Sequence, residues 1–286
     1  MSERASAYKP INPLWVVAKK EWLDGRRNRW LQSVTIILFL LALGIAYLGG
    51  AVAGQVGFTG LSNTIVSLAS LAVLIMPLVA LLLSYDAIVG EDESGTLLLL
   101  SAYPITLRQL YLGKFIGRCA VLGVSIFVGC LCAALVLALT TNVVVSELIT
   151  AFLVFIFAAC LLGFSFVAIG LWVSSYSKTR AQAAGISLVI WFVGAVLFDL
   201  VVLGILVMSQ GHLESNFLAG LLFMNPTDIF RMINFSLFAD MQQHTGLMSL
   251  QQDIKLSLPF LFALSWLWLL MPLAAGYVQF KKRMKI

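Results

Sequence analysis

Long runs of about 18 or more residues with almost no charge recur along the chain, and they limit what it can fold into more than any other feature. Because lipid offers the backbone no hydrogen-bond partner, such runs must span a membrane as helices or as a closed barrel. Barrel strands alternate apolar and polar residues over about ten positions, whereas these runs are continuous. With 61% hydrophobic and only 11% charged residues, the chain is predicted to be an all-α, multi-pass membrane protein.

Six transmembrane helices are predicted from these runs. They lie near residues 30–48, 64–89, 115–140, 148–174, 184–208 and 257–280. Of the 18 lysine and arginine residues, only Arg231 and Lys255 lie on one side of this layout; the others lie on the opposite side. The positive-inside rule therefore predicts that both termini are cytoplasmic. The net charge of +5 is interpreted as a topology signal and not as a nucleic-acid-binding surface.

Residues 10–29 are predicted to form an interfacial helix on the cytoplasmic membrane surface. Asn12 can cap this helix, and Pro13 suits its first position. One face is expected to be an apolar stripe of Leu14, Trp15, Ala18 and Trp22. The opposite face carries Lys19, Lys20 and Glu21, with Arg26, Arg27 and Arg29 placed near lipid phosphates. The alternative is a plain basic anchor before the first span.

Residues 90–114 connect predicted spans two and three and contain a short apolar stretch that is too short to cross a membrane. Its acids at positions 91–93 favour a helix N-terminus, and Ser94 or Thr96 can cap that helix. Residues 97–100 are all leucine. Because the charge count places the segment in the cytoplasm, these leucines must be buried against the chain's own helices or against a protein partner.

Pro104 is expected to end this helix, and a second helix follows at once. Thr106 can cap the new helix, which leads through Arg108 and Lys114 into span three.

Residues 209–256, between spans five and six, are predicted to form an external segment with its own helices. Asn225 and Pro226 can open a helix that rests on the outer surface or dips into it. Its apolar face is expected to contain Phe230, Ile233 and Leu237. Further along, Met241, His244 and Met248 share a helical spacing, and soft thioether and imidazole ligands suit Cu(I). Packing methionines on a helix that Gly246 interrupts are the alternative.

Two acidic residues within span boundaries are candidates for cargo contact or for transmission of motion. Asp199 lies well inside span five, where an ionised carboxylate normally faces a partner or an aqueous cavity. The alternative for Asp199 is a protonated or hydrogen-bonded carboxyl near the outer boundary. Asp86 lies at the inner end of span two, where pairing with a nearby arginine is the structural alternative.

Two of these segments resemble parts of a known family. The stretches "AKKEWLDGRRNRW" and "GEDESGTLLLLSAYPITLRQLYLGK" resemble the connecting helix and the coupling loop of type-2 ABC exporter permeases. More narrowly, "NPLW", "RNRWL", "LALGIAY", "GQVGFT", "TIVSLASLAV" and "YDAIVGEDESGTLLLL" resemble the permeases of nitrous oxide reductase maturation systems. Because these stretches occur in order and the six-span layout agrees, the resemblance covers essentially the whole chain.

The resemblance implies a single transmembrane permease domain, residues 1–286, in the bacterial inner membrane. It implies a homodimer that sits on a cytoplasmic ABC ATPase dimer and works with a periplasmic copper-handling protein. The permease would transport a cargo or transmit conformational work during copper-site maturation of nitrous oxide reductase. The implied coupling residues are Glu91, Glu93, Gly95, Thr96, Leu97, Leu100, Pro104 and Arg108. The implied connecting-helix residues are Trp15, Lys19, Glu21, Trp22 and Arg26.

The sequence carries no P-loop, since Gly113-Lys114 is followed by Phe115 and has no glycine five positions before Gly113. The chain is therefore expected not to be an enzyme and to hold no cofactor, while the partner ATPase binds ATP and Mg²⁺. A generic exporter of a lipid, peptide or drug remains the alternative within this architecture. An intramembrane enzyme would need clustered acids or histidines within spans, and a secondary transporter would need paired charges or inverted repeats; the sequence shows neither pattern.

Overall fold

All regular structure in the described part of the chain is helical. The computed structural model describes residues 12–27, 29–48, 61–101, 103–140, 144–209, 215–236 and 257–285. In chain order, the helices are α1 Pro13–Arg27, α2 Trp30–Leu48, α3 Leu61–Ser84, α4 Val89–Glu93, α5 Thr96–Ser101, α6 Leu107–Thr140, α7 Val145–Tyr176, α8 Arg180–Phe192, α9 Phe198–Met208, α10 Ser215–Leu222, α11 Pro226–Phe235 and α12 Leu258–Arg283.

Five helical runs within the described ranges are long and apolar enough to cross a membrane. They are Thr64–Glu93, Leu107–Leu139, Val145–Tyr176, Arg180–Met208 and Leu258–Arg283. These runs correspond to predicted spans two to six. The predicted first span coincides with α2, whose 19 residues extend about 28 Å and which is not one of the five runs. Six spans with both termini inside therefore stay a prediction.

Helix α7 is the centre of the bundle. It packs against α3, α6, α11 and α12, and nearly every residue from Leu161 to Leu171 is buried. A helix that is apolar on all sides is stable only when neighbours surround it. The run from α8 to α9 is the opposite case, because large apolar side chains such as Leu188 and Phe192 are exposed on the single chain.

Two caps expected from the sequence are confirmed. Asn12 Oδ1 accepts a hydrogen bond from Leu14 N at 3.1 Å, and Pro13 is the first residue of α1. Thr106 and Gln109 form a reciprocal capping box at the start of α6, with Gln109 N to Thr106 Oγ1 at 3.2 Å and Thr106 N to Gln109 Oε1 at 3.0 Å. Local side-chain chemistry therefore fixes where these helices begin.

The segment before α6 differs from its prediction, because the acids form a helix of their own. Glu91 to Glu93 belong to α4, which ends at Glu93 with Ser94 as its C-cap, and α5 begins only at Thr96. Between the two helices, Gly95 has φ 71°, a conformation that favours glycine. The hydroxyls of Ser94 and Thr96 donate to the carbonyl oxygen of Glu91, both at 3.2 Å, so they bond back to α4.

Helix α11 does not rest on the surface, which was the first of its two predicted placements, because it is buried among α3, α7 and α12. Its Asn225 cap is confirmed, with Thr227 N donating to Asn225 Oδ1 at 3.1 Å. Asn225 Nδ2 also donates to Gly194 O at 2.7 Å. Gly194 lies in a π-helical turn, Val193–Leu197, that separates α8 from α9. Almost every residue from Thr227 to Phe235 is buried, including the predicted Phe230 and Ile233, whereas Leu237 lies outside the described residues.

Helix α1 approaches α6 closely because two glycines of α6 face it. A Cβ on Gly117 would lie 2.6 Å from the carbonyl oxygen of Ala18, and a Cβ on Gly113 would lie 2.9 Å from that of Leu14. Small residues four apart allow two helix backbones to pack in this way.

Replacing Gly117 by alanine is expected to push α1 away from α6, because its obstacle is backbone. Overpacking of this kind costs about 1–3 kcal/mol of unfolding free energy, which exceeds the gain from alanine's helix propensity. Thermal unfolding of the purified protein measures the change. Gly185→Ala is the matched control, since nothing lies within 4 Å of a Cβ there. Equal midpoints for the two variants would contradict the close approach.

Candidate functional site

Ionisable side chains from several helices converge on the five-residue helix α4. This cluster is called the α4 junction. Its members are Lys20, Glu21, Asp86, Glu91, Asp92, Glu93, Lys114, Arg118, Arg180 and Arg283. A helix this short is not stable by itself, so its position depends on these contacts.

The first turn of α4 is held by α7. The backbone amides of Ile88 and Val89 both donate to Ser174 Oγ, at 2.9 and 3.1 Å. They are among the amides that a helix N-terminus leaves without intrahelical partners. A side chain of the central helix therefore fixes the start of α4.

Each acid of α4 binds a cation from a different part of the chain. Glu91 Oε1 lies 2.7 Å from the Nζ atoms of both Lys20 on α1 and Lys114 on α6. Glu93 Oε2 lies 3.2 Å from Nε of Arg180, the first residue of α8. Arg180 strengthens this link through its Nη2, which donates to Gly90 O at 2.6 Å.

The third acid, Asp92, connects α4 to α12. Asp92 forms an ion pair with Arg283 in the last turn of α12, with Nε–Oδ2 at 3.1 Å. Arg283 Nη1 also donates to the carbonyl oxygens of Ser174, Ser175 and Ser177 at the end of α7. A cation at a helix C-terminus is electrostatically favourable. One arginine therefore joins three helices.

Glu21 occupies the most buried part of the α4 junction, and its predicted place on the solvent face of α1 is wrong. Its carboxylate lies 3.0 Å from Lys114 Nζ and 3.1 Å from Arg118 Nε. The side chains of Glu21 and Lys114 are only 6% and 2% exposed. Burial alone would raise the pKa of Glu21, but Lys114 and Arg118 lower it to about 2. Glu21 is thus an ionised internal anchor between α1 and α6.

The remaining connecting-helix residues occupy more open positions. Trp15, Lys19 and Arg26 are exposed, and Trp22 is half-buried. Of the predicted apolar stripe, only Ala18 belongs to the buried face of α1, whose residues are Val17, Ala18 and Glu21.

The leucines of α5 divide into two groups. Leu97 is 2% exposed and packs in the chain's own core, whereas Leu98 and Leu99 are 72% and 67% exposed. The predicted set of Leu97 to Leu100 therefore does not share one environment. Leu98 and Leu99, called the exposed leucine pair, present an apolar surface beside α4.

The other predicted coupling residues differ in exposure and in what they contact. Gly95, Thr96, Pro104 and Arg108 are exposed, and Leu100 is half-buried. Glu91 and Glu93 are directed into ion pairs of the chain itself.

The two candidate acids of the spans are both paired to arginine. Asp86 Oδ1 accepts a hydrogen bond from Arg118 Nη1 at 3.1 Å, which agrees with the predicted alternative that Asp86 pairs with a nearby arginine. Asp199 binds Arg231 through both carboxylate oxygens, at 2.8 and 3.2 Å. Met241, His244 and Met248 lie outside the described residues.

Sequence reasoning missed Ser174, Arg180, Arg231 and Arg283 as functional candidates. The three arginines entered only the charge count used for topology. A signal was available for Arg180 and Arg283, because each lies at the end of an apolar run and can reach an acid at that end of the bundle.

Comparison with known proteins agrees with this architecture. The chain matches the family model for "ABC-2 family transporter protein" over residues 15–284. It is 43% identical over 275 residues to a protein of Stutzerimonas stutzeri named "Probable ABC transporter permease protein NosY", which covers 96% of this chain and 100% of that protein. It is 46% identical over 271 residues to a protein of the same name from Pseudomonas aeruginosa PAO1, which covers 94% and 98%.

Proposed function

The chain belongs to the ABC-2 transporter family as a membrane permease subunit, and from this premise we propose that its α4 junction transmits work from a separate ATPase. In this proposal the α4 junction is cytoplasmic and α2 is the first of six spans. The ATPase binds ATP and Mg²⁺ and contacts the exposed leucine pair.

One observation carries the proposal: the exposed leucine pair lies beside a helix that is ionically bound to four others. A force on α5 reaches α4 through the short turn at Gly95. From α4 it passes through Glu91 to α1 and α6, through Glu93 to α8, and through Asp92 to α12. A small displacement at α5 can therefore tilt several spans together.

We assign this permease to copper-site maturation of nitrous oxide reductase. The sequence identity to two NosY proteins over almost their full length supports this assignment. The short stretches of this chain that resemble permeases of nitrous oxide reductase maturation systems support it too, because they occur in order along the chain. The permease serves either by moving a cargo or by passing conformational work to a periplasmic copper-handling protein. The segment 209–256 is the proposed docking region for that protein.

A homodimer is the proposed assembly. The run Arg180–Met208, which contains α8 and α9, is the least buried of the five long apolar runs in the described part of the chain, so we place the dimer interface there.

Cysteine cross-linking tests whether α5 contacts the ATPase. In a variant without the four natural cysteines, cysteine at position 98 is expected to cross-link to the ATPase, because Leu98 is exposed. Cysteine at position 97 is the matched control, since Leu97 is buried one residue away and should give no product. Products at both positions, or at neither, would contradict the proposed docking surface.

A further inference from the structure

A second group of ionisable side chains lies away from the α4 junction, where α11 packs into the bundle. Arg231 on α11 donates Nη2 to Asp199 Oδ2 at 2.8 Å and Nη1 to Asp199 Oδ1 at 3.2 Å. The same guanidinium donates Nη1 to Oδ1 of Asp228, three residues earlier, at 2.9 Å. Two carboxylates therefore share one cation. If both were ionised, the cluster would hold one excess negative charge.

Asp228 is the carboxyl least able to keep that charge. Its side chain is 4% exposed, whereas those of Asp199 and Arg231 are partly exposed. Within the described part of the chain, its Oδ2 is buried and has no hydrogen-bond donor. A buried carboxylate oxygen without a donor is costly, and protonation removes the charge.

The helices packed around α11 supply no further cation near this carboxyl. Helix α3 has no charged residue, and the only one on α7, Glu147, is exposed near its first turn. The charges of α12 are confined to its last turn, at Lys281, Lys282 and Arg283. The other titratable groups on these helices are Cys160, Tyr176 and Tyr277. Among the described residues, Asp199 and Arg231 are therefore the charged groups that act on Asp228, and a hydrogen bond from the neighbouring Asn225 side chain adds a smaller stabilisation of the charged form.

We propose that Asp199, Arg231 and Asp228 form a proton-binding site in which Asp228 holds the proton. On uptake, one aqueous proton bonds to the Asp228 carboxylate and gives a neutral carboxylic acid. Arg231 then stays as the ion-pair partner of Asp199. The cluster becomes electrically neutral, which suits its buried position. This site is independent of the α4 junction and of the proposed function.

The expected titration lies near neutral pH. Burial raises the pKa of Asp228 to about 7, although the Arg231 guanidinium opposes the rise, and the charge of Asp199 adds to it. The folded protein then binds a proton that the unfolded chain has released. The resulting stability is fully present below about pH 4 and is lost as the pH rises through about 7.

Infrared spectroscopy of the purified full-length protein in detergent tests the site. The carbonyl band of a buried, protonated carboxylic acid is expected at mildly acidic pH and should disappear as the pH rises through about 7. Asp228→Asn should remove that band, and Glu147→Gln, at an exposed acid, should leave it unchanged. A band that survives Asp228→Asn, or no such band in the natural protein, would overturn the proposal.

A second variant keeps the test valid if Asp228→Asn does not fold. Asp199→Asn removes the negative charge of Asp199 and leaves Arg231 with Asp228 as its one acidic partner in the cluster. The pH at which the carbonyl band of Asp228 disappears should therefore be lower in this variant. An unchanged transition would overturn the shared-cation argument.

Discussion

Replacing Leu98 and Leu99 together by aspartate is expected to detach the ATPase from the permease without unfolding the permease. Both side chains are mostly exposed, so aspartate at these positions stays hydrated in the free chain. In the complex, each change removes about 1.5–3 kcal/mol of apolar burial and places a carboxylate where leucine would be buried. A total above about 4 kcal/mol weakens binding by about a thousandfold or more.

Co-purification of the ATPase with tagged permease measures this loss, and the thermal unfolding of the permease shows that its fold persists. Leu23→Asp is the control, because Leu23 is an exposed leucine at the same end of the bundle on α1. In cells, the double variant should also produce nitrous oxide reductase with little copper, since the proposed work no longer reaches the periplasm. Normal ATPase recovery would reject the docking surface. Full copper loading despite a lost ATPase would reject the maturation role.

The features that the sequence predicts well depend on short-range chemistry. The caps at Asn12, Thr106 and Asn225 each involve a residue two or three positions away, so the local sequence contains both partners. The five long helical runs follow from hydropathy, which a window of residues carries by itself.

The features that it predicts poorly depend on partners far along the chain. Glu21 binds cations 93 and 97 positions away, and α1 alone gives no sign that this acid faces inward. The uninterrupted run from Leu97 to Leu100 does not indicate which leucine faces the bundle, and only the packing of α5 shows that Leu97 is buried while Leu98 and Leu99 are exposed. The sequence leaves open whether α11 rests on the surface or enters the protein, because the partners of its polar residues Asp228 and Arg231 inside the protein are not evident from the helix alone.

Replacing Glu21 by glutamine is expected to cost about 3–5 kcal/mol of unfolding free energy, the usual effect of breaking a buried ion pair. Glutamine keeps the shape of the side chain but removes its charge. Lys114, which is 2% exposed, then keeps its ion pair with Glu91, and Arg118 keeps its ion pair with Asp86, but each loses its contact with the buried Glu21 carboxylate. Calorimetry in detergent measures the difference. Glu147→Gln, at an exposed acid, is the control and should change stability by less than about 0.5 kcal/mol.

The pH dependence separates this electrostatic role from simple packing. Lys114 and Arg118, acting against burial, lower the pKa of Glu21 to about 2, whereas an unfolded glutamate titrates near 4.3. The stability from its charge is therefore fully present above about pH 4.3 and is lost as the pH falls towards 2. The gap between the natural protein and Glu21→Gln should be constant at neutral pH and should narrow below about pH 4. A gap that persists unchanged in acid would show that glutamine disturbs packing, and that the charge of Glu21 does not anchor α1 to α6.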